Sequence, residues 1–440
     1  MIPFNDFPRV LVITPQAFNH VTGTGVTFSN LFREWPKDLL ACIHNDSVPT
    51  EDDVCDHYFC LGPDEIRKWG VFNWFVRKVG KQTSDAQAFN NASVQPAYKL
   101  GLLKRAAKYI RDFLFGIDSV PEAIIFSKEL VAWIDKFQPD IIYSPLGDNT
   151  IMQFVDEASQ RWDTKLVLHI MDDWRAVKYS SGVLSGPRRR QMNSLFTDLV
   201  MISDERMGIC PLMCEAYERE FERPFLPFQN TIDTETWAKF SRTNIVPSKS
   251  FRILYAGSIF PFAQLESLEE ICQAIGQINE DGRAITLDIF SPRFMSNQYQ
   301  DSLVVHKAIT IKDPIPHGEG YFKALCSADL LLLPVNFDEN TVRFIRYSMP
   351  TKVPEYLLSG VPIFVYGPAN VAQIDYAVKS KWGYVETNRG VDNVILGLRE
   401  LSENMSLREK LNIRARKLAV ENHDAGTVRK KFREALCNIF

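Results

Sequence analysis

The stretch Tyr347-Ser-Met-Pro-Thr-Lys-Val-Pro-Glu-Tyr-Leu-Leu-Ser-Gly360, followed by Val361-Pro-Ile-Phe-Val-Tyr366, gives the clearest indication of the fold. Its opening is typical of a helix start, because serine and threonine cap helices and proline is tolerated only in or before the first turn. Gly360 stands where a left-handed C-cap residue is expected. The stretch therefore predicts an irregular approach, a short helix that ends at Gly360, and a buried strand directly after it.

The start of this predicted helix has the chemistry of an anion site. First-turn N–H groups lack intrahelical partners and lie at the positive end of the helix dipole, and Lys352 adds a full charge. Glu355 comes three residues after Lys352 and four after Thr351, so the three residues share one face. A carboxylate there can accept two hydrogen bonds from a ribose diol. The pattern predicts a site for a sugar nucleotide; the alternative is an ordinary capped helix with a surface Glu–Lys pair.

Length and composition are those of a soluble globular protein. The chain has 440 residues, which predicts two or three domains, and 45% hydrophobic and 24% charged residues. The net charge of −4 does not favour a nucleic-acid partner. The sequence has no secretory leader pattern and no apolar run near the ~20 residues that span a bilayer. Together with scattered cysteines, these features predict a cytoplasmic protein.

One group of cysteine and histidine side chains is a candidate metal site. Five such residues lie within 19 positions, but neither pair has the spacing of a zinc knuckle. We therefore expect cysteines that pack in adjacent strands, with metal binding as the alternative. The five residues are Cys42, His44, Cys55, His57 and Cys60.

Short apolar runs alternate with helical segments through the first half of the chain. After the strand Arg9–Thr14, a Gly/Thr-rich turn at His20–Gly25 precedes a helix that extends to about Glu34, and residues 64–136 are predicted to be mainly helical. Strands that are apolar throughout are typical of the centre of a parallel sheet. The further strands predicted in this half are Leu39–His44, Tyr58–Leu61, Asp140–Ser144, Lys165–Ile170 and Asp198–Ser203.

The alternation restarts after residues 241–250, a polar segment without periodicity that predicts a linker. We expect an N-terminal domain over 1–240 and a C-terminal domain over 251–423. The alternation of strands and helices in both domains predicts α/β folds, that is, two Rossmann-like, doubly wound domains with parallel sheets that face a cleft. We expect ligands to bind beyond the carboxyl ends of the strands. The elements predicted in the second half are strands Phe251–Gly257, Ile285–Phe290 and Asp329–Pro334, and helices Leu265–Asn279, 370–380 and from Asp392 onward.

With this organisation, the chain resembles the GT-B glycosyltransferases, most closely the retaining, nucleotide-sugar-dependent group similar to family 4. The likeness covers nearly the whole chain, and its most specific part is Tyr347–Gly360, which looks like the donor-site helix of that family. In that family the last helix crosses back onto the first domain, which implies this course for residues 424–440. The supporting segments are Gln229–Asp233, Ile253–Gly257 and Ser327–Pro334.

The resemblance implies roles for individual residues. Glu355 matches the glutamate that binds the donor ribose, and Lys352 with the amides near Thr351 falls where the diphosphate is held. His169 matches a histidine that faces the transferred sugar. The other candidate site residues are Pro350, Gly257, Ser258, Arg343 and Arg346 on the donor side, and Gly23, Thr24, Gly25 and Asp172 on the acceptor and phosphate side.

The chain also departs from the family pattern. Tyr347 stands where the first glutamate of the usual Glu-x7-Glu pair is expected, and Thr231 replaces the glycine of an Asn-Gly-Val-Asp segment. Gly257 is followed by Ser-Ile-Phe-Pro-Phe-Ala-Gln instead of the usual Arg and Lys. Either donor binding is lost or other cations neutralise the diphosphate. We expect the second outcome, because three cations lie close by in sequence: Arg343, Arg346 and Lys352.

Glycosyl transfer of this kind requires stabilisation of the departing nucleotide diphosphate above all. We assign no covalent catalyst, no catalytic metal and no cofactor; the nucleotide sugar is a co-substrate. His169 could contact the donor sugar or assist proton movement, and the alternative is a strand-end histidine satisfied by backbone groups. Asp172 and Asp173 are adjacent, so their side chains diverge and make a poor general acid/base pair, and they lack the spaced Asp-x-Asp metal pattern. We expect solvated helix-cap residues, and the alternative is that one of them contacts acceptor hydroxyls.

A second interpretation of the glycine turn is a dinucleotide fingerprint, because Gly23-Thr-Gly25-Val-Thr-Phe28 begins like G-x-G-x-x-G. Two observations oppose it. Phe28 replaces the third glycine, and eight residues separate Thr14 from Gly23, whereas the fingerprint follows its strand directly.

Two segments could contact a membrane surface. Residues 99–116 place apolar side chains on one helical stripe and cations beside it, and residues 66–81 mix aromatic residues with cations. The alternative is that both segments form amphipathic helices packed on the sheet.

The main hypothesis is a glycosyltransferase that transfers a sugar from a nucleotide-diphosphate sugar to a saccharide or lipid-linked acceptor in glycan or polysaccharide assembly, with retention. One alternative is a non-catalytic GT-B homologue that acts as a binding or scaffold subunit, which Tyr347 and the missing Arg/Lys pair motivate. Another is a sugar-nucleotide epimerase, which would need no acceptor.

Overall fold

The computed structural model describes residues 7–20, 22–46, 50, 53–68, 102–116, 121–246 and 250–440, and for 102–108 it describes the backbone only. The chain forms two compact units. The first comprises residues up to Phe228 together with Lys431–Phe440, and the second comprises Gln229–Lys430. The units thus divide before residues 241–250, the segment whose composition predicts a linker.

The first unit is built on a parallel sheet. Among its described residues, seven strands follow the order β3-β2-β1-β6-β7-β8-β9, and every pair within this sheet is parallel. The central strand β1 is buried along its whole length, as its apolar sequence predicts. The strands of the unit are β1 Val10–Ile13, β2 Leu40–His44, β3 His57–Cys60, β4 Ile66–Lys68, β5 Glu122–Ile124, β6 Ile141–Ser144, β7 Lys165–Ile170, β8 Glu205–Gly208 and β9 Leu226–Pro227.

Helices connect the parallel strands of the first unit, which is the pattern expected of a doubly wound domain. They are α1 Gly23–Phe32, α2 Leu102–Phe115, α3 Lys128–Phe137, α4 Asn149–Trp162, α5 Trp174–Val177, α6 Ser185–Ile202 and α7 Pro211–Phe221.

The prediction of a strand over Asp198–Ser203 is wrong, because these residues belong to the end of α6 and the strand β8 begins only at Glu205. The apolar run at the helix end resembles a strand when it is taken alone. Within the whole helix, however, buried residues recur at helical spacing: Met192, Phe196, Leu199 and Val200. Met201 and Ile202 are exposed, so this apolar run is not buried on all sides as a central strand would be.

The described part of the segment 64–136 is mainly helical, as predicted, because it contains α2 and most of α3. The strands β4 and β5 of the same segment pair with each other as an antiparallel ribbon. One more local prediction needs correction, since Gly23, Thr24 and Gly25 form the first turn of α1 and not a loop. Thr22 is the N-cap of that helix and accepts a hydrogen bond from the Gly25 N–H at 3.2 Å.

The second unit repeats the architecture. Its sheet has six parallel strands in the order β12-β11-β10-β13-β14-β15. The strands are β10 Phe251–Ala256, β11 Ile285–Phe290, β12 Ile309–Lys312, β13 Leu330–Pro334, β14 Ile363–Tyr366 and β15 Tyr384–Glu386. The helices are α8 Thr234–Trp237, α9 Leu265–Glu280, α10 Arg293–Ser296, α11 Gln300–Leu303, α12 Glu319–Cys326, α13 Glu339–Ile345, α14 Val353–Ser359, α15 Ala372–Ser380, α16 Val391–Glu403, α17 Met405–His423 and α18 Ala425–Cys437.

Alternate residues of the central strands fill two separate cores, one on each face of the second sheet. Leu331 and Leu333 of β13 pack in one core with the apolar residues of α14. Leu330 and Leu332 pack in the other core with the apolar residues of α9 and α16. Helices on both faces of a parallel sheet confirm the prediction of two Rossmann-like domains. The residue before α14, Lys352, reaches the end of β10 with its side chain.

The last helix, α18, begins in the second unit, and its residues from Lys431 onward belong to the first. Phe432 is fully buried there, with its ring 4.9 Å from Phe32, 5.9 Å from Tyr143 and 5.3 Å from Phe228. Across the described residues, no helix has the length and apolar character needed to cross a membrane.

Candidate functional site

The turn that precedes α14 carries the predicted site. The helix begins at Val353, not at Ser348 or Thr351, and ends at Gly360, whose φ of 70° is the predicted left-handed C-cap. Few of its first N–H groups are open to a ligand. The Val353 N–H bonds to the Pro350 carbonyl at 3.1 Å, and residue 354 is a proline without an N–H. A helix of seven residues also has a small dipole, so the charge of this turn comes mainly from Lys352.

Lys352 reaches from the N-cap of α14 to the end of the central strand β10. Its Nζ donates a hydrogen bond to the Ala256 carbonyl at 2.7 Å. The ammonium also lies 4.6 Å from the centroid of the Tyr255 ring and 6.0 Å from that of Tyr356. Rings at these distances stabilise a cation through their π faces. Only one of its three N–H donors is used in the part of the chain that the structure describes, so the ammonium can still donate to a ligand.

Gly257 makes this lysine position possible. Its φ of 149° is a conformation that residues with a side chain rarely adopt. A Cβ at this position would lie 2.4 Å from the Nζ of Lys352. The glycine that follows β10 therefore serves two purposes: it turns the chain at the sheet edge and leaves space for the ammonium.

Burial of the ammonium lowers the pKa of Lys352 to about 8, and the charge of Glu355 partly opposes this change. Near neutral pH the lysine is therefore mostly charged although it is shielded from water. A shielded cation interacts more strongly with an anion than an exposed one, because less solvent screens the pair.

Glu355 lies on the same face of α14 as Lys352, as its spacing predicts. Its Oε1 is 3.5 Å from Nδ1 of His317, and the phenol of the buried Tyr321 also hydrogen-bonds to this carboxylate. The contact with Glu355 raises the pKa of His317 above its usual value. The side chain of Glu355 is 23% exposed, so the carboxylate is held in place but remains accessible.

A chain of hydrogen bonds holds the turn before α14 in position. The Asn230 side chain donates to the Thr351 carbonyl at 2.7 Å, and the Asn230 carbonyl in turn accepts from Nδ1 of His423 at 3.3 Å. His423 is buried, and its Nε2 lies 3.0 Å from the Tyr376 hydroxyl. Because Thr351 is held through its carbonyl, the residues on either side of it have a defined position.

The loop after Gly257 is also rigidly held. Tyr255 donates from its hydroxyl to the Ser258 carbonyl at 2.6 Å, and the buried Asn336 donates to the carbonyls of Pro261 at 2.8 Å and Ala263 at 2.8 Å. The loop thus contributes backbone and aromatic groups to this edge. The predicted replacements for its missing cations, Arg343 and Arg346, are exposed on and just after α13, and within the described ranges neither forms a salt bridge.

No protein-family model matches the sequence, and no curated protein matches it. Among solved structures, sucrose-phosphate synthase from Thermosynechococcus elongatus is similar with a TM-score of 0.59 at 13% identity, over 96% of this chain and 97% of that one. HepE of Anabaena, in complex with UDP and glucose, has a TM-score of 0.58 at 10% identity, over 98% of this chain and 100% of that one. The UDP-forming α,α-trehalose-phosphate synthase from Burkholderia vietnamiensis has a TM-score of 0.56 at 10% identity, over 97% of this chain and 99% of that one.

This chain has the GT-B fold. The similarity extends over nearly the whole of each protein, and it includes both Rossmann-like domains. At such low identities the comparison concerns the fold, and the site has to be judged from its own residues.

In the second domain of this GT-B chain, the structure brings together three of the predicted donor-side residues: Gly257, Lys352 and Glu355. Thr351 and Ser258 contribute carbonyls that other side chains hold, and Pro350 closes the turn before α14. These arrangements agree with a donor site, and the assignment of the site residues to that role stays a prediction.

The first domain places its candidates differently. Gly25 is buried in the first turn of α1, where a Cβ would meet the Asn19 side chain at 2.2 Å, and Gly23 lies exposed at the helix start. Asp172 is exposed directly after β7, and Asp173 accepts a hydrogen bond from the Tyr217 hydroxyl at 3.3 Å. These positions give no evidence of an acceptor site.

His169 is enclosed within the first domain. Its ring is fully buried, its Nε2 lies 3.1 Å from the Phe228 carbonyl, and its Nδ1 hydrogen-bonds to the Tyr143 hydroxyl. Because a carbonyl can only accept, Nε2 carries the proton and Tyr143 donates to Nδ1. Burial lowers the pKa of His169 to about 3, so the ring is neutral. This geometry favours the alternative of a backbone-satisfied histidine and leaves no ring nitrogen for a sugar.

Several residues of the site had no signal in the sequence. His317 and Tyr321 reach Glu355 from the loop before α12 and from α12 itself, a region without a motif. Tyr255 carried a weak signal, since it precedes the glycine turn of β10. Asn230 stood in a segment noted only for its family likeness, and its bond to Thr351 joins positions 121 residues apart.

The cysteine and histidine group lies on the neighbouring parallel strands β2 and β3 and on the residues before β3. Cys42 and Cys55 are buried, and the Cys55 thiol donates to the Leu40 carbonyl at 3.4 Å. Across the described ranges, no group of three or more His, Cys, Asp or Glu residues is arranged to hold a metal ion.

Proposed function

We propose that this protein is a glycosyltransferase that uses a nucleotide-diphosphate sugar as donor. The observation that carries the proposal is the pairing of Lys352 with Glu355 at the carboxyl edge of the second parallel sheet. Ligands of doubly wound domains bind at this edge, beyond the ends of the strands. A shielded ammonium next to an accessible carboxylate suits a ligand that has both an anionic and a hydroxylic part.

Each residue has a defined part in this proposal. Lys352 donates to the diphosphate and stabilises the charge that builds up on it as the bond to the sugar breaks. Glu355 accepts hydrogen bonds from the ribose hydroxyls, and Tyr321 holds its carboxylate in position. Arg343 and Arg346 supply further positive charge when the donor is bound. His169 has no catalytic role here, and no side chain acts as a covalent nucleophile.

The solved structures with this fold support the reaction class. HepE of Anabaena was obtained with UDP and glucose and with UDP-glucose, and the two synthases are named for sugar-phosphate products, one of them as UDP-forming. By analogy we propose a saccharide or lipid-linked acceptor, retention at the anomeric carbon, and a place in glycan or polysaccharide assembly in the cytoplasm.

Calorimetry with UDP-, GDP- and dTDP-sugars tests donor binding, and product analysis by mass spectrometry tests turnover with and without acceptors. We expect one nucleotide series to bind and to be consumed, and both Lys352→Ala and Glu355→Ala to abolish turnover. Lys410→Ala, an exposed lysine on α17, serves as the control and should behave like the wild type. No binding of any series would contradict the proposal.

A second candidate is a binding subunit without catalysis, which Tyr347 and the uncharged loop after Gly257 favour. In that case nucleotide sugars bind with the same dependence on Lys352, but no acceptor gives a product. Conversion of the donor sugar without any acceptor would instead indicate an epimerase.

A further inference from the structure

We infer that the first unit carries a docking surface for an anionic lipid bilayer, formed by the end of α2, Val183 and the arginine run at the start of α6. This surface does not depend on the donor site of the second unit. It is defined by six residues, and the name docking surface refers to them below: Tyr109, Ile110, Phe113, Val183, Arg189 and Arg190.

The apolar residues of α2 are exposed. Tyr109 is 75% exposed, Ile110 is 52% exposed and Phe113 is 59% exposed. Ile110 and Phe113 belong to the apolar stripe that an amphipathic helix packed on the sheet would bury. Their exposure therefore argues against that alternative for this part of the helix. Residues three and four positions apart are neighbours on a helix, so the three side chains form one continuous patch.

The helix end is nevertheless firmly attached to the domain. Phe115 is buried, and the carbonyls of Phe113 and Leu114 accept hydrogen bonds from the N–H groups of Val183 at 3.0 Å and Leu184 at 2.9 Å. An anchored helix with an exposed apolar face is a poor arrangement in water, because burial of that face would be favourable. Val183 itself is 59% exposed and extends the apolar patch next to Phe113.

The start of α6, which carries a run of arginines, lies beside the end of α2. The guanidinium of Arg188 stacks on Tyr179 at 4.1 Å and on Phe115 at 5.5 Å, which brings the start of α6 to the end of α2. Arg189 and Arg190 follow it, and in the described part of the chain neither forms a salt bridge. Cations in the first turns of a helix oppose its dipole, so the helix itself gains nothing from them.

Charge identifies the occupant. The protein as a whole has a net charge of −4, so a local arginine run reflects a local demand for positive charge. Nucleic acid would use the arginines but not the exposed isoleucine and phenylalanine. A bilayer uses both: apolar side chains enter the boundary of the acyl region, and cations bind anionic headgroups. The helix is ~21 Å long, which suits a position in the plane of the membrane surface.

The test is sedimentation of the full-length protein with vesicles of phosphatidylcholine alone or with phosphatidylglycerol, at low and high salt. We expect binding to the anionic vesicles only, and weakening at high salt. The double variants Ile110→Ser/Phe113→Ser and Arg189→Glu/Arg190→Glu should each reduce the partition coefficient about tenfold or more.

Matched controls come from other exposed positions. Leu396→Ser/Ile413→Ser removes apolar residues that are 64% and 62% exposed on α16 and α17, and Lys430→Glu/Lys431→Glu reverses two exposed cations on α18. Both controls should bind vesicles like the wild type, and circular dichroism should show that all four variants fold.

Three outcomes would overturn the inference. The first is no sedimentation with anionic vesicles at low salt, and the second is sedimentation that the docking-surface variants leave unchanged. The third is a wild-type dimer, seen by light scattering, that Ile110→Ser/Phe113→Ser dissociates while vesicle binding is absent. That result would assign the surface to a second copy of the chain.

Discussion

Two shielded ionisable groups, the fully buried His169 in the first unit and the half-buried Lys352 in the second, invite comparison because each lies at the carboxyl end of a parallel strand. His169 uses both ring nitrogens within its own domain, one on Tyr143 and one on the Phe228 carbonyl. Lys352 uses one N–H donor on Ala256 and faces two aromatic rings that satisfy charge without consuming donors. Both groups lie at a strand end, but only Lys352 has hydrogen-bond donors left for a ligand.

His423 supports this distinction. It is buried like His169 and donates to the Asn230 carbonyl, with Tyr376 on its other nitrogen. Burial lowers its pKa to about 4. Each unit thus contains a neutral histidine that joins a tyrosine hydroxyl to a backbone carbonyl. The repetition indicates a structural use of histidine in this chain.

The largest effect should follow from removal of the free donor. Lys352→Met keeps the length of the side chain but removes its charge, so we expect the affinity for the best nucleotide-diphosphate sugar to fall about 100-fold. Isothermal calorimetry measures this loss. An unchanged dissociation constant would mean that Lys352 is as inert toward ligands as His169.

The space that Gly257 leaves for the ammonium should matter next. Gly257→Ala places a methyl group 2.4 Å from the Nζ of Lys352 and forces a φ of 149° on a residue with a side chain. We expect donor affinity to fall about 30-fold, because the ammonium has to leave its aromatic surroundings.

Gly390→Ala is the matched control for this substitution. Its φ of 138° is similar, but the nearest side-chain atom would be 3.8 Å from the new Cβ. It should lower the melting temperature by a similar strain and leave donor affinity unchanged. Equal losses of affinity in both variants would show that backbone strain, and not the lysine, is responsible.

The pH dependence of donor binding separates the two groups further. The pKa of Lys352 is lowered to about 8, so above that pH the free protein increasingly holds a neutral amine. Binding should weaken by about tenfold for each pH unit above 8, since the proton must then be taken up with the ligand. In Lys352→Arg the guanidinium keeps its charge throughout this range, so the donor affinity measured by calorimetry should not change from about pH 7 to about pH 10.

The smallest effect on donor affinity is expected at His169. His169→Ala should leave calorimetric donor affinity unchanged but lower the free energy of unfolding by about 2–4 kcal/mol, because it creates a cavity and leaves a buried hydroxyl and carbonyl unpaired. A loss of donor affinity in a folded variant would restore a functional role for this histidine.

The lowered pKa of His169 also determines whether acid raises or lowers the free energy of unfolding. Its pKa is about 3 in the folded protein, below the usual value of 6.5, so the unfolded chain binds a proton that the folded chain does not. Its contribution to stability is therefore complete above pH ~6.5 and is lost as the pH falls toward 3. Urea unfolding of the wild type and His169→Ala across this range should show a weaker pH dependence in the variant.

Much of the fold could be predicted from local sequence. The apolar runs of β1, β7 and β13 are unambiguous because a strand buried on both faces tolerates few polar residues. Gly360 and the short helix before it were equally clear, since only a left-handed residue ends a helix in that way. The strand predicted over Asp198–Ser203 failed because four apolar residues satisfy either period, and only the rest of α6 shows which period applies.

Periodicity, caps and spacing are local properties, and they were enough to predict two doubly wound domains, the turn at 350–360 and the proximity of Lys352 and Glu355. Which polar groups have hydrogen-bond donors left for a ligand depends on the tertiary structure. The Tyr143 hydroxyl and the Phe228 carbonyl occupy both ring nitrogens of His169. In contrast, Gly257, Tyr255 and Asn230 help to position Lys352, whose ammonium still has N–H donors for a ligand. These contacts join residues far apart in the chain, and the free energy of a buried polar group depends on such partners, which no local pattern specifies.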